Sequence, residues 1–412
     1  MSPTSDHRKR ATAPRMIGSN LTTVRSTNER LILHLVRTHE QLTKADATRL
    51  TKLSANAVSV IFRSLEEAGF LLRCAPIRGR IGQPSTPMRL NPAARYYAGL
   101  YLGRRSYRLV IIDFVGNILA RQTSIHNYPT PTSLIAFIKQ ALPVVLDQSG
   151  IKLSQLDAFN IAAPGELWSW TPELGIAKEE MEPWRFFNLR DEVATLVRLP
   201  VEIENDGTSA CRAELVFGGK RAAMDWAYFY VESFIGGGIV LNGSVYPGRR
   251  SHAGGFGPLR VPEQAGGSRL MDHASLVTLE HLVKSEPEEA IERIYSDELN
   301  WSSIEQPLDA WIKRAGKSLT YAIVSSLTVV DFEDFVIDGA LPVHVRDRLL
   351  NEIREQWELL DRQGIDTPQI SPGKFGAIAG ALGAAAIQIS NDFMINQHQV
   401  LQSDPTFVSS GR

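Results

Sequence analysis

The sequence predicts an α/β protein in two parts, an N-terminal winged helix-turn-helix followed by a two-lobed actin-like body. Three observations predict it. Residues 43–69, TKADATRLTKLSANAVSVIFRSLEEAG, hold two short helical segments joined by a tight turn. Charge is unevenly placed: residues 1–90 carry 15 Lys/Arg against 6 Asp/Glu, a local charge of +9, while the remainder carries 29 against 39, or −10. A basic end on an acidic body marks where a polyanion binds. From residue 96 onward, three short strands followed by βα units occur twice, the pattern of two similar lobes with a cleft between them.

Residues 1–25, rich in Ser, Thr, Pro and Arg, read as a disordered basic arm, and 26–92 as the DNA-binding head. TNERLILHLVRTH (27–39) is a helix with Ile32, Leu35 and Val36 inward. Thr43 caps the next helix, Thr51-Lys52-Leu53 turns the chain, and Ser54 caps a third helix that stops at Gly69. Val58, Ile61, Phe62 and Leu65 form its apolar stripe, opposite Asn56, Ser59, Val60 and Arg63. An ordinary amphipathic hairpin would show the same apolar stripe, and the segment after Gly69 separates the two readings. FLLRCAPI and STPMRLNP are strand-like segments joined by a basic, Gly-containing turn, Arg78 to Pro84. Three helices and a basic hairpin suit a helix seated in a major groove with a wing beside it. Arg30, Lys44 and Lys52 are the expected phosphate contacts. Ser54, Asn56, Ser59 and Arg63 are placed at the base edges, and Arg78, Arg80 and Gln83 on the wing.

Residues 93–412 form the body: a first lobe of about 93–205 plus a C-terminal helix of about 376–395, and a second lobe of about 206–375. YYAGLYLG, YRLVIID, GNILARQT, DAFNIAAPG and VEIEN are the first set of strands, and AYFYVES, IVLNG and DFVIDG belong to the second. Gly236–Gly238 read as a tight turn. Asn205 or Asp206 is a good N-cap for the helix after it, whatever else it does. The Trp residues at 168, 170 and 184 read as packing residues. Cys74 and Cys211 lie far apart, which excludes a disulfide framework. No apolar run reaches about 18–20 residues, so the expectation is a cytoplasmic protein with no membrane partner.

LTKADATRLTKLSANAVSVIFRSLEEAGFL with GRIGQPSTPMRLNP, and NIAAPGEL, IENDGTSACRAE, GGGIVLNGSVYPG and AGGFGPLRV after them, resemble the ROK family (repressors, open reading frames, kinases). The likeness is to its branch of sugar-responsive repressors. It implies a ribonuclease H-like body and binding to double-stranded operator DNA. It also implies a homodimer or homotetramer and a sugar-like effector in the cleft, held by Asn205, Asp206 and, in place of a family Glu, Asp272. The departures are as informative. Tyr101-Leu102-Gly103 stands where the family's kinases have Asp-x-Gly, and Asp338-Gly339-Ala340 where they have a Gly-Gly turn at the nucleotide. Gly255 and Pro258 replace the Glu and His of the family's Gly-Glu-x-Gly-His element, and GGSRLMD its cysteine run. The expectation is a regulator of carbohydrate-related genes with no catalytic activity, no zinc or other metal and no cofactor. A kinase with an added head and a ligand-independent DNA-binding scaffold are the alternatives.

If the basic segment holds the DNA, log K should fall linearly with log salt, by roughly 0.9 per phosphate contact. Deleting residues 1–90 should leave a folded body without DNA affinity, and a body that still bound DNA undiminished would overturn the assignment.

Overall fold

The computed structural model describes residues 27–77, 85–169, 171, 175–262, 267–283, 288–296 and 301–395. The arm 1–25, Trp170 and the wing residues Arg78, Arg80 and Gln83 lie outside them.

The head begins with α1, Thr27–His39, which buries Ile32, Leu33 and Val36, with Leu35 half-buried against the same core. In α2, Lys44–Thr51, the Thr43 hydroxyl accepts a hydrogen bond from the Asp46 amide at 3.1 Å. The chain then reverses at Lys52, whose φ of 58° is left-handed. A side chain there costs about 1 kcal/mol, offset by the Lys52 amide donating to Thr48 O at 3.0 Å and the Leu53 amide to the Thr51 hydroxyl at 3.2 Å. Ser54 accepts from the Ala57 amide and starts α3, Ala55–Glu67, which buries Val58, Phe62 and Leu65. Gly69 ends it with a φ of +76°, a conformation glycine adopts without penalty. A small antiparallel sheet closes the head in the order β1-β3-β2, from β1 (Gln41–Leu42), β2 (Leu71–Arg73) and β3 (Met88–Leu90).

The body carries two sheets of the same design. The first, β6-β5-β4-β7-β8, is built from β4 (Tyr96–Leu102), β5 (Ser106–Asp113), β6 (Ile118–Ile125), β7 (Leu156–Ala163) and β8 (Ile203–Asn205). Its first three strands are antiparallel and the rest join in parallel. Helix α4 (Pro131–Ser149) covers the outer face and α5 (Leu189–Val197) precedes β8. The second, β11-β10-β9-β12-β13, repeats the pattern with β9 (Trp226–Val231), β10 (Gly236–Leu241), β11 (Ser244–Val245), β12 (Asp334–Gly339) and β13 (Gln369–Pro372). Helices α7 (Leu276–Leu282), α8 (Glu305–Leu327) and α9 (Val343–Leu359) belong to this lobe.

Between the sheets lie α6 (Asp206–Phe217) and α10 (Ala379–Ala385), with α11 (Ile387–Phe393) after α10. Gly236–Gly238 are not the expected turn. They pair with Tyr230, Phe229 and Tyr228 in β10, because α6 packs on them. A Cβ on Gly238 would stand 2.4 Å from Cys211 Cβ, and one on Gly207 2.4 Å from the Gly237 amide nitrogen. The contact of α6 with α10 is as close: a Cβ on Gly383 would meet Ser209 O at 1.7 Å, and the Ser209 hydroxyl donates to Gly380 O at 3.1 Å. On its other side α10 meets β4, where a Cβ on Gly99 would lie 2.0 Å from Ala381 O.

The head is fastened to the body by Phe70, Phe114 and Phe393, with ring centroids 5.1–5.5 Å apart. Arg37 donates to Phe114 O at 2.8 Å and lies 5.0 Å from the Phe114 ring and 5.7 Å from that of Phe217. Burial, only partly opposed by Tyr97 and Asp113, lowers its pKa to about 10. A cavity of about 640 Å³ opens at this junction, bordered by Arg37, His39, Arg89 and Lys220.

Gly383→Ala should therefore destabilise the protein by about 3 kcal/mol, since the clash is with backbone rather than a mobile side chain. Gly236→Ala, with no atom within 4 Å of the added carbon, should stay within about 0.5 kcal/mol of wild type. Urea midpoints compare the two, and equal effects would refute the packing argument.

Candidate functional site

On the head, α2 and α3 present Lys44, Lys52, Ser54, Asn56 and Arg63 to solvent, with Ser59 half-buried and Val60 60% exposed. Near the far end of α3, Glu66 binds Arg73 at 2.5 Å, and Glu29 of α1 accepts from Ser64 at 3.1 Å. Arg30 differs from the other expected phosphate contacts. It is half-buried, and its charge acts on Asp392 of α11, so it faces the body.

In the body, the ends of β4, β8 and β9 meet at the cleft. Asn205 is an N-cap, its side-chain oxygen accepting from the Thr208 amide at 3.2 Å, while its amide group donates to Asp206 Oδ1 at 3.1 Å. Asp206 also accepts from the Gly207 amide at 3.0 Å. Burial pushes its carboxyl above the ordinary range, with the Arg104 charge and the Gly207 amide pulling it back. Arg212 is paired with Glu204 at 2.5 Å rather than with Asp206. The structure does not bring Asp272 into this group. It is exposed and held in an ion pair with Arg269 at 2.7 Å, three residues before it on the same short segment.

Apart from Tyr101, the residues that fill the cleft were missed from sequence. Tyr101 is buried with its ring against Gly103 and Gly380, where added Cβ atoms would lie 2.3 and 2.6 Å from it. Arg108, opposite Tyr101 in the β4–β5 register, lies 5.4 Å over that ring. It pairs with Glu232 at the end of β9 at 2.9 Å, both side chains being at most 3% exposed. Arg104 lies 4.3 Å from the ring centre of Phe234. Arg105 clamps Glu280 of α7 through Nε at 3.1 Å and a second nitrogen at 2.5 Å, and the Tyr295 hydroxyl donates to the same carboxylate. Two ion pairs thus join the β4–β5 hairpin of one lobe to the other lobe. The sequence signal is three arginines, 104, 105 and 108, beside an otherwise apolar strand.

Asp338 does not meet the cleft as a bare charge. It accepts from Tyr228 at 2.9 Å and from the amides of Phe375 and Gly376 at 3.1 and 3.0 Å, which is ample compensation for a buried carboxylate. Gly255 and Pro258 are exposed, and neither side chain offers a ligand. Among the described residues no group of three His, Cys, Asp or Glu could hold a metal ion, and no helix is long and apolar enough to cross a membrane.

A family model, the ROK family, matches residues 97–391. The chain belongs to the ROK family. The chain is 25% identical to the uncharacterized protein y4fQ of Sinorhizobium fredii over 89% of this chain and 92% of that protein. It is 24% identical to a putative xylose repressor of Caldicellulosiruptor sp. over 58% of this chain, spanning 59% of that relative. In fold it is similar to the crystal structure of a ROK family transcriptional regulator, a homolog of the E. coli MLC protein. That match has a TM-score of 0.60 and 16% identity, and covers 88% of this chain and 96% of that one. Glucokinases match the body as well, so the family includes both chemistries and the site must discriminate.

Breaking the interlobe clamp from one side should be costly. Glu280→Gln should lower unfolding free energy by about 3 kcal/mol, because it leaves Arg105 without its buried counter-charge. Arg105→Gln with Glu280→Gln should cost less than the sum of the single changes. Denaturant melts of the four proteins give the coupling, and strict additivity would show that the pair contributes nothing.

Proposed function

We propose that this ROK protein is a sequence-specific DNA-binding transcriptional regulator, in which a winged helix-turn-helix reads operator DNA and a non-catalytic body responds to a small polar effector. The observation that carries this reading is the exposed stripe of α3, entered through a tight turn with both helices capped. Asn56, Ser59 and Arg63 face base edges with Ser54 at the helix start, and Lys44 and Lys52 hold phosphates. That division gives specificity to the first group and affinity to the second. Arg30 serves the head–body contact instead.

The kinase alternative finds little support in the cleft. Tyr101 and the Arg108–Glu232 pair fill the space beside Gly103, and Asp338 is committed to its own backbone. Phosphoryl transfer relies on positioned phosphates and metal, and the buried Tyr101 ring stands where the family's kinases have the Asp that helps place them. Asn205 and Asp206 remain as the polar end of an effector site, without Asp272. The family's repressors favour carbohydrate-related genes as targets, and paired half-sites favour a homodimer or homotetramer.

Selection of binding sites from a random duplex library should return one recurrent motif. On that motif Asn56→Ala and Arg63→Ala should each cost about 1–3 kcal/mol, with little change on unselected DNA, whereas Lys52→Ala should weaken both alike. Failure to enrich any motif would sink the proposal. Equal losses on both DNAs would move Asn56 and Arg63 to the backbone-contact class.

A further inference from the structure

The cavity at the head–body junction is walled by three parts of the molecule. Arg37 and Arg89 come from the head, Val115 from the turn after β5, and Val216, Phe217 and Lys220 from the end of α6 and the residues after it. Its volume of about 640 Å³ lies within the roughly 300–1,000 Å³ range of small-molecule sites. Among the described residues that border it, Glu40 is the one carboxylate, against Arg37, Arg89 and Lys220. Arg37 has no charged partner there. One of its nitrogens donates to Phe114 O, a neutral acceptor, and its Nε and other amino group make no hydrogen bond among the described residues. The charge of Asp113 acts on it only from a distance. One oxygen of Asp113 accepts from the amides of Val115, Gly116 and Asn117, each at 2.9 Å, and the other from the Asn117 side chain at 2.8 Å. Arg89 and Lys220 are exposed and have no ion-pair partner among the described residues. A guanidinium lying against aromatic rings is a planar fork that receives a carboxylate through two parallel bonds. The valines and the Phe217 ring beside it suit an apolar group.

We propose that this junction is a ligand site of its own, which binds a small organic anion, a carboxylate carried on an aromatic body. Arg37, Arg89 and Lys220 receive the carboxylate, and Val115, Val216 and Phe217 take the ring system. The site is distinct from the interlobe cleft, since α6 sets Phe217 roughly 16 Å along its axis from Asp206. The head supplies Arg37 and Arg89 and the body supplies the rest, so a bound anion ties the one to the other. The regulatory consequence rests on the DNA-binding reading above; the binding itself does not. Ligand and DNA change each other's affinity by the same factor wherever the anion favours one position of the head over another.

The probe is 2-naphthoate, titrated into the full chain by calorimetry at constant ionic strength, beside its uncharged analogue 2-naphthamide and inorganic phosphate. 2-Naphthoate should bind at least tenfold more tightly than either. Arg89→Gln combined with Lys220→Gln should weaken it at least tenfold. Both side chains are exposed, so the melting temperature of the free protein should stay within about 2 °C of wild type. Arg37→Lys, which keeps the charge and loses the fork, should also weaken it, and Asp206→Asn should leave it unchanged. No binding of 2-naphthoate at millimolar concentration would overturn the proposal, and so would equal affinity for the amide or for phosphate. A loss in Asp206→Asn would move the ligand to the cleft and overturn it too. If random-sequence duplex displaced 2-naphthoate and lost as much affinity in the double variant, the cations would belong to a DNA contact, and the ligand site would be refuted. DNA affinity unchanged by saturating 2-naphthoate would overturn the regulatory link alone. A chain that bound 2-naphthoate but no DNA would sink the DNA-binding reading and leave this site standing.

Discussion

Two helices in the centre of the body touch backbone to backbone, and the rest of the molecule is arranged around that contact. Helices α6 and α10 approach until Gly383 has no room for a methyl group beside Ser209, and the same helices meet β10 at Gly207 and β4 at Gly99 with as little space. Small residues are needed because interiors are packed like crystals and backbone cannot yield as a side-chain tip can. The consequence is a fixed, short distance between the two sheets at the base of the cleft. That distance lets arginines on a hairpin of one lobe reach carboxylates of the other.

At the cleft, the buried Tyr101 ring and two ion pairs make a contact that holds the lobes together. Each ion pair is a poor source of net stability once the loss of hydration is counted. Its stronger effect is on geometry, since each carboxylate has one place in which its charge is met.

Local signals are legible in the sequence and distant ones are not. Thr43, Ser54 and Gly69 act on amides or dihedral angles within a few residues of themselves, so they mark the helix ends correctly. β1 is two residues long and exists through Gln41 and Leu42 pairing with Arg89 and Met88, which no local pattern announces. The Gly236–Gly238 strand resembles a turn in sequence because glycine has no side chain to show alternation, and its need for small residues comes from α6. Asn205 is legible as a cap, a local matter. Asp272 is an exception among local matters: its partner Arg269 stands only three residues before it, and a likeness to a family Glu hid the pairing. Arg108 and Glu232 each look odd in an apolar strand, but they lie 124 residues apart, and only the fold shows that they answer each other.

The seat of the head has a mechanical meaning. Phe217 is the last residue of α6 and Phe393 the last of α11, and both belong to the junction that grips α1 and Phe70. The head therefore rests on the distal tips of the same helices whose near ends border the cleft. At about 1.5 Å per residue, α10 and α11 together make an arm of roughly 20 Å. A rocking of about 5° at its base displaces the tip by roughly 2 Å on that length, a shift comparable to the offset that separates a base edge in register from one out of reach. The body is in that sense a lever, with its fulcrum where glycine permits the closest approach.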